Sequence, residues 1–210
     1  MSGIDVAVCE ITGEPPRLRA EAGVALTIPW PHDLQKMVIE AWQPEQINTA
    51  DLCLMDVAVG EAFAAAALEG IANAGYYPEQ IDLIGMQGQP IHYHIREDGR
   101  VMGMVQLGQV SVVAAWTGIT TVGNFRQSDL AAGGLGAPLV GYVDWLLLRH
   151  SHRYRAVQHL GELTSVTFVS PLSVSNIEPL CFDIGPGMRM VNYAQQRLDA
   201  SGAECPENGG

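Results

Sequence analysis

From Thr49 to Asn73 the residues Met55, Val59, Phe63, Ala67 and Ile71 recur every four positions, and this run limits what the chain can fold into more than any other. Recurrence at that spacing places the five side chains on one face of an α-helix, with Asp56, Glu61 and Glu69 away from the row. Asn48 with Asp51 forms an N-cap arrangement, and Gly75 is a stop. Strands are expected on either side. Ile4 to Ile11 alternates apolar with polar or small residues and ends at Thr12-Gly13-Glu14-Pro15-Pro16, and Arg17 to Ile28 is a second extended run. Asp33 opens a short helix with Leu34, Met37, Val38 and Ala41 as its stripe, closed before Pro44.

Beyond the long helix, Ile81 to Met86 reads as a strand, and Ile91 to Ile95 and Val101 to Leu107 as two more around a Glu97-Asp98-Gly99 turn. A helix over Val110 to Trp116, a strand Ile119 to Val122, a Gly-rich turn and a helix from Pro138 to Arg149 come next. The remainder predicts strands at Ala156 to Leu160, Ser165 to Val169 and Leu180 to Asp183, then a helix from Gly187 to Leu198. This succession is an α/β pattern in two related halves, broken near residue 150.

Eleven basic residues against 23 acidic ones leave a formal charge of -12, which argues against nucleic acid and anionic membrane as partners. The opening MSGIDVAVCEITGE has no basic stretch before its apolar run and meets Asp5 and Glu10 too early for a secretory signal. Apolar stretches elsewhere are interrupted too often by Gly and polar residues to span a bilayer. Cys9, Cys53, Cys181 and Cys205 are scattered and read as reduced structural thiols of a cytoplasmic protein.

The densest chemical signal is Gly123 to Val140, GNFRQSDLAAGGLGAPLV. A strand ends at Val122; Asn124, Arg126 and Asp129 come after it; then Gly133, Gly134 and Gly136 precede Pro138. Gly-rich turns at strand ends let backbone N–H groups approach a ligand. Arg126 could fork onto an oxyanion and Asp129 could accept from a hydroxyl, or the two could simply pair with each other. Phe182 to Arg189, through Gly185-Pro186-Gly187, resembles an anion-cradling helix start or a plain β-to-α connection. Gly85 to Pro90 is a third turn at a strand end. His92 with His94 and His150 with His152 lack a carboxylate or Cys to complete a metal site, so no metal is expected. His150, Arg149 and Arg153 read as cations flanking a helix C-terminus.

The order MSG–IDVA, LIG-x-x-GQ, WTGITTVGNFRQSDLAAGGLGAPLV, LGELTSVTF and FDIGPG resembles the anhydro-N-acetylmuramic acid kinase family, which includes a levoglucosan kinase branch. The resemblance spans Ser2 to about Leu198 and is most specific over Gly123 to Val140. It implies the actin-like, sugar-kinase fold, in which two RNase-H-like lobes flank a cleft. Here that means one complete lobe over 1–150, a truncated second lobe over 151–200 and a polar tail over 201–210. It also implies ATP-driven opening of a 1,6-anhydro sugar: water attacks the anomeric carbon, and the departing ring oxygen takes the γ-phosphate at O6.

The same resemblance shows where this chain departs from the pattern. Gly3 runs directly into Ile4, without the T-S-L-D-G phosphate loop. G-S-H-G-Q-T becomes Gly85-Met86-Gln87-Gly88-Gln89-Pro90, and Q-I-G-D becomes Gln106-Leu107-Gly108-Gln109. In D-F-R-x-x-D the first aspartate, the family's general base, is Asn124 here. N-L-G-G-I-A-N becomes His159 to Ser165 and places Glu162 in a phosphate-facing turn. F-D-T-G-P-G-N becomes Phe182 to Met188. The resemblance thus assigns catalytic positions to Asn124, Arg126 and Asp129, and ligand-binding positions to Gln87, Gln89, Gln109, Gly133, Gly134 and Gly136. It leaves a phosphate-loop remnant at Gly161, Asp183, Gly185 and Gly187.

An amide cannot take a proton from water, so Asn124 removes base assistance commonly worth about 10²–10⁴ in rate. A degenerate kinase-like protein that keeps a small-molecule cleft, for ligand binding or for a non-phosphorylating reaction, and uses no cofactor is therefore expected. The alternatives are a divergent kinase using ATP and Mg, a non-catalytic regulatory subunit, and a fragment that merely folds. The expected partners are a small molecule and a second copy or another chain that completes the second lobe. Three strands and one helix cannot cover both faces of its sheet.

Overall fold

Alternation from Ile4 to Thr12 produces β1, which pairs with β2 (Arg19–Ile28). The computed structural model describes residues 3–198 except 16, 44, 46, 175 and 176, so the expected tail at 201–210, Cys205 and Ser2 lie outside the described residues. The chain forms two compact units. The first runs to Ala137 apart from Gly13–Arg19, and the second comprises Gly13–Arg19 and the chain from Pro138 onward. Along the chain, the second unit's main segment begins at Pro138.

In the first unit α1 (His32–Glu40) buries Leu34 and Val38, and α2 covers Thr49–Asn73. The Asn48 side chain accepts the Asp51 N–H at 3.0 Å, and Gly75 turns out of α2 with φ +79°. Met55 and Val59 enter one apolar cluster with Ile4, Trp30, Val38 and Leu107. Ala64 enters a second with Met86 and Val113, so α2 is sandwiched and its apolar surface is broader than a single stripe. A 3-10 turn at Pro78–Gln80 leads to β3 (Ile84–Gly85), which pairs in parallel with β6 (Thr121–Val122). Both are two-residue strands, shorter than the Ile81–Met86 and Ile119–Val122 expected from their apolar runs. Between them lie the antiparallel pair β4 (Gln89–Ile95) and β5 (Val101–Leu107) and the helix α3 (Val110–Thr117).

The expected Gly-rich turn after β6 is different. Residues Phe125–Ala131 form a helix, α4, headed by Asn124 at φ 63°. Asparagine tolerates this left-handed conformation better than most side chains, and it redirects the chain so that Ser128 N–H reaches Asn124 O at 3.0 Å. Seven residues rich in polar side chains carry too little periodicity to announce such a helix.

The second unit holds α5 (Val140–Leu147), an antiparallel sheet in the order β7 (Arg155–Leu160), β8 (Leu163–Val169), β9 (Leu180–Pro186), and α6 (Met188–Leu198). α5 packs on the face carrying Thr167 and Cys181; a Cβ at Gly141 would come within 2.6 Å of Cys181 Cβ. Leu160, Phe168, Leu180, Phe182 and Ile184 are exposed on β7, β8 and β9. No helix among the described residues is long and apolar enough to cross a membrane.

Candidate functional site

β3 and β6 end side by side, and the segments that leave the two strands meet. Gly123 is required for this approach: a Cβ there would lie 2.6 Å from Val110 Cγ2 and 3.2 Å from the Met86 carbonyl. The head of α4 is thereby held beside Gln87. With its amide oxygen assigned to face the guanidinium, Gln87 accepts from Arg126 Nε at 2.6 Å and from Nη2 at 3.1 Å. Arg126 Nη1 donates to the Gly136 carbonyl at 3.0 Å. Gly136 N–H donates to Asp129 Oδ2 at 2.8 Å, and Gly134 N–H to the Asp129 carbonyl at 2.8 Å.

Arg126 and Asp129 therefore do not pair with each other; together they clamp the turn that contains Gly133, Gly134 and Gly136. A Cβ on Gly134 would collide with the Asp129 carboxylate, which explains glycine at that position. The guanidinium fork expected for an oxyanion is spent on a neutral amide. Asn124 is exposed, and its side chain makes no cap bond to α4.

The other glutamines have different surroundings. Gln109 Nε2 donates to Asp56 Oδ2 at 2.9 Å, and Gly108 N–H to Asp56 Oδ1 at 2.8 Å, tying α3 to α2. Gln89 Nε2 bonds its neighbour's carbonyl, Pro90 O, at 3.1 Å. Gln87 and Gln89 line a cleft of about 1090 Å³, whose walls include neither Arg126 nor Asp129. Gln87 thus belongs both to the clamp and to the wall of the cleft.

In the second unit, Gly187 N–H donates to Glu162 O at 2.9 Å and Met188 N–H to Gly161 O at 2.9 Å. A Cβ on Gly187 would collide with the Gly161 carbonyl. The glycine turns at Gly161 and Gly187 are packed on each other, so the helix-start donors expected to cradle an anion are already engaged. Glu162 Oε2 lies 3.3 Å from Arg189 Nη2, and exposed Asp183 pairs in register with Ser165.

Sequence reasoning missed two contacts. Buried Asp144 of α5 bonds His159 Nε2 of β7 at 2.7 Å, and Asp56 holds the entry to α3. Neither pairing leaves a local pattern. His150 Nδ1 accepts from His152 N–H and Arg153 N–H at 3.1 and 3.2 Å, and the carbonyl of Leu148, just past α5, accepts from Arg155 Nη1 at 2.8 Å. Arg149 and Arg155 thus both stand at that helix end, Arg149 with its guanidinium 4.4 Å from the Trp145 ring of α5. Cys9 and Cys53 are exposed rather than buried, while Cys181 Sγ accepts from Thr167 at 3.2 Å. Among the described residues no three His, Cys, Asp or Glu side chains form a group able to hold a metal.

The sequence profile described as anhydro-N-acetylmuramic acid kinase matches residues 1–204. Proteins of that name from Bacillus cereus and from Bacillus thuringiensis subsp. konkukian are 35% identical over 199 residues, 94% of this chain and 52% of theirs. A Bacillus anthracis protein of the same name matches to the same extent, 35% over 199 residues. The chain spans about half the length of these curated relatives. With nearly the whole chain matched by that profile, the protein belongs to the anhydro-N-acetylmuramic acid kinase family.

Proposed function

We propose that this chain is a degenerate anhydro-sugar-kinase-like protein that binds a small molecule and does not carry out ATP-dependent phosphotransfer. The observation that carries the reading is Asn124. It stands exposed at the head of α4, where the family pattern has the aspartate that activates water. Without a carboxylate at that position nothing there takes the proton. The engaged N–H groups of Gly187 and Met188 support the same reading, because phosphoryl transfer depends chiefly on positioning the phosphates. Within an actin-like architecture, the two units would correspond to one lobe and part of the other, in a chain that spans about half the length of its relatives. The competing reading, a divergent kinase using ATP and Mg, draws on the family membership and on Arg189, which offsets the charge of Glu162.

Asn124→Asp separates the two. Clear ADP release with a 1,6-anhydro sugar in a coupled assay would favour the kinase. The expected result is no turnover, because restoring one group does not restore the others it acts with. Free thiols at Cys9, Cys53 and Cys181 suit a cytoplasmic setting. The exposed Leu160, Phe168, Leu180, Phe182 and Ile184 suit pairing with a second copy. Sedimentation at micromolar concentration is expected to show a mass above the 22.6 kDa of one chain, and a clean 22.6 kDa species would exclude the pairing.

A further inference from the structure

Two of the six histidines stand together on β4 and take no part in the kinase-like reading. His92 faces Val105 across the ladder, and His94 faces Gly103. Irregularities of register fall before His92 and after His94, so the pairing between them is regular. Side chains two apart on such a strand share a face, with their Cα atoms about 6.6 Å apart. His94 and Val105 are exposed and His92 is half-buried, so this face is open to water.

Both imidazoles are available. Nothing lies within 4 Å of where a Cβ on Gly103 would be, which leaves space opposite His94. Among the described residues neither ring has a hydrogen-bond or ion-pair partner. The second H-x-H pair is different: His150 Nδ1 already accepts two backbone N–H groups, and the pair lies in the segment between Arg149 and Arg153.

Two imidazoles at the spacing of His92 and His94 can turn their lone pairs onto one ion. With metal–nitrogen bonds of about 2.0–2.1 Å, two ligand nitrogens at right angles lie about 2.9 Å apart, within reach of these side chains. Imidazole suits late first-row divalent ions, and the tetragonal or octahedral geometries of Cu(II) and Ni(II) contain such right-angled pairs. Tetrahedral Zn(II) asks for a wider angle and, in closed sites, four protein ligands. No third His, Cys, Asp or Glu joins the pair among the described residues.

We propose that His92 and His94 form a two-histidine chelate for a late first-row divalent cation, Cu(II) or Ni(II) ahead of Zn(II), with water in the other positions. This replaces the expectation of no metal, which looked for a carboxylate or Cys as a further ligand. A site so open to water exchanges its ion and is not structural. The inference does not rest on the kinase-like reading, because neither histidine belongs to the clamp of Gln87, Arg126 and Asp129.

Ni(II) alone is the probe, since the exposed thiols of Cys9 and Cys53 would reduce Cu(II). It is titrated into the full chain and followed by calorimetry and by paramagnetic broadening of the amide NMR signals. One ion per chain is expected, with broadening centred on residues 92–94 and 103–105. His92→Gln and His94→Gln are each expected to weaken binding at least tenfold, about 1.4 kcal/mol. The swap His94→Ile/Ile95→His keeps the composition but turns one imidazole to the opposite face, and the same loss is expected. His150→Gln/His152→Gln is expected to leave the affinity unchanged. Undiminished binding by the swapped variant would overturn the proposal, as would no saturation at about 1 mM Ni(II). Broadening centred on the thiols or on His150 and His152 would overturn it too, as an adventitious ion only, and that map is read on the unaltered chain.

Discussion

Mg-ATP titrated into this chain is expected to bind no more tightly than about 1 mM, roughly 4 kcal/mol of binding free energy. Nucleotide phosphates are held by free backbone N–H groups in glycine turns and at helix starts. In the second unit those of Gly187 and Met188 are consumed by the carbonyls of Glu162 and Gly161 at 2.9 Å. Opening the turn would expose those carbonyls. In the first unit Gly3 leads directly into β1, and the expectation takes this as the loss of the T-S-L-D-G loop of the family pattern. Arg189 offsets Glu162 only in part, because both side chains are about two-thirds exposed, at 65% and 70%, and the pair is screened by solvent. Calorimetry decides the matter: a micromolar dissociation constant would restore the kinase reading.

Arg149→Ala is expected to destabilise the second unit by about 3–4 kcal/mol, a large fraction of what a domain of this size has. The guanidinium donates from Nε to Ser170 O at 3.0 Å and from Nη2 to Pro171 O and Val174 O at 2.6 and 2.9 Å. It also lies 4.4 Å from the centre of the Trp145 ring. Hydrogen bonds from a charged donor contribute more than neutral ones, and truncation leaves carbonyls unpaired in a segment where Ser170 is buried. Arg149→Lys is expected to recover less than half of the loss, since an ammonium lacks the planar fork. Native-state hydrogen exchange at the β8 amides reads the effect within that unit. A loss below about 1 kcal/mol would show that the carbonyl cluster is held by something else.

What was legible in the residues is what neighbours in the chain decide. The bounds of α2, its Asn48 cap and the Gly75 exit depend on contacts within a few positions, and so do the hairpin of β4 and β5 and the strands of the second unit. Periodicity and capping express forces that act over one or two turns, so they survive in the sequence. The family resemblance drew on the same local source, the ordered turns after strands.

Tertiary structure decided which distant groups meet. Gln87 receives Arg126, Asp56 receives Gly108 and Gln109, and Asp144 receives His159 because separate elements cross, and no spacing within one element records a crossing. It also decided the corrections: α4 in place of a turn, two-residue strands β3 and β6, and Gly161 packed on Gly187 with its anion-facing donors used up. An apolar run states that a segment is to be buried, but the partner that covers it, or the open edge it is left with, is set by where the rest of the chain goes.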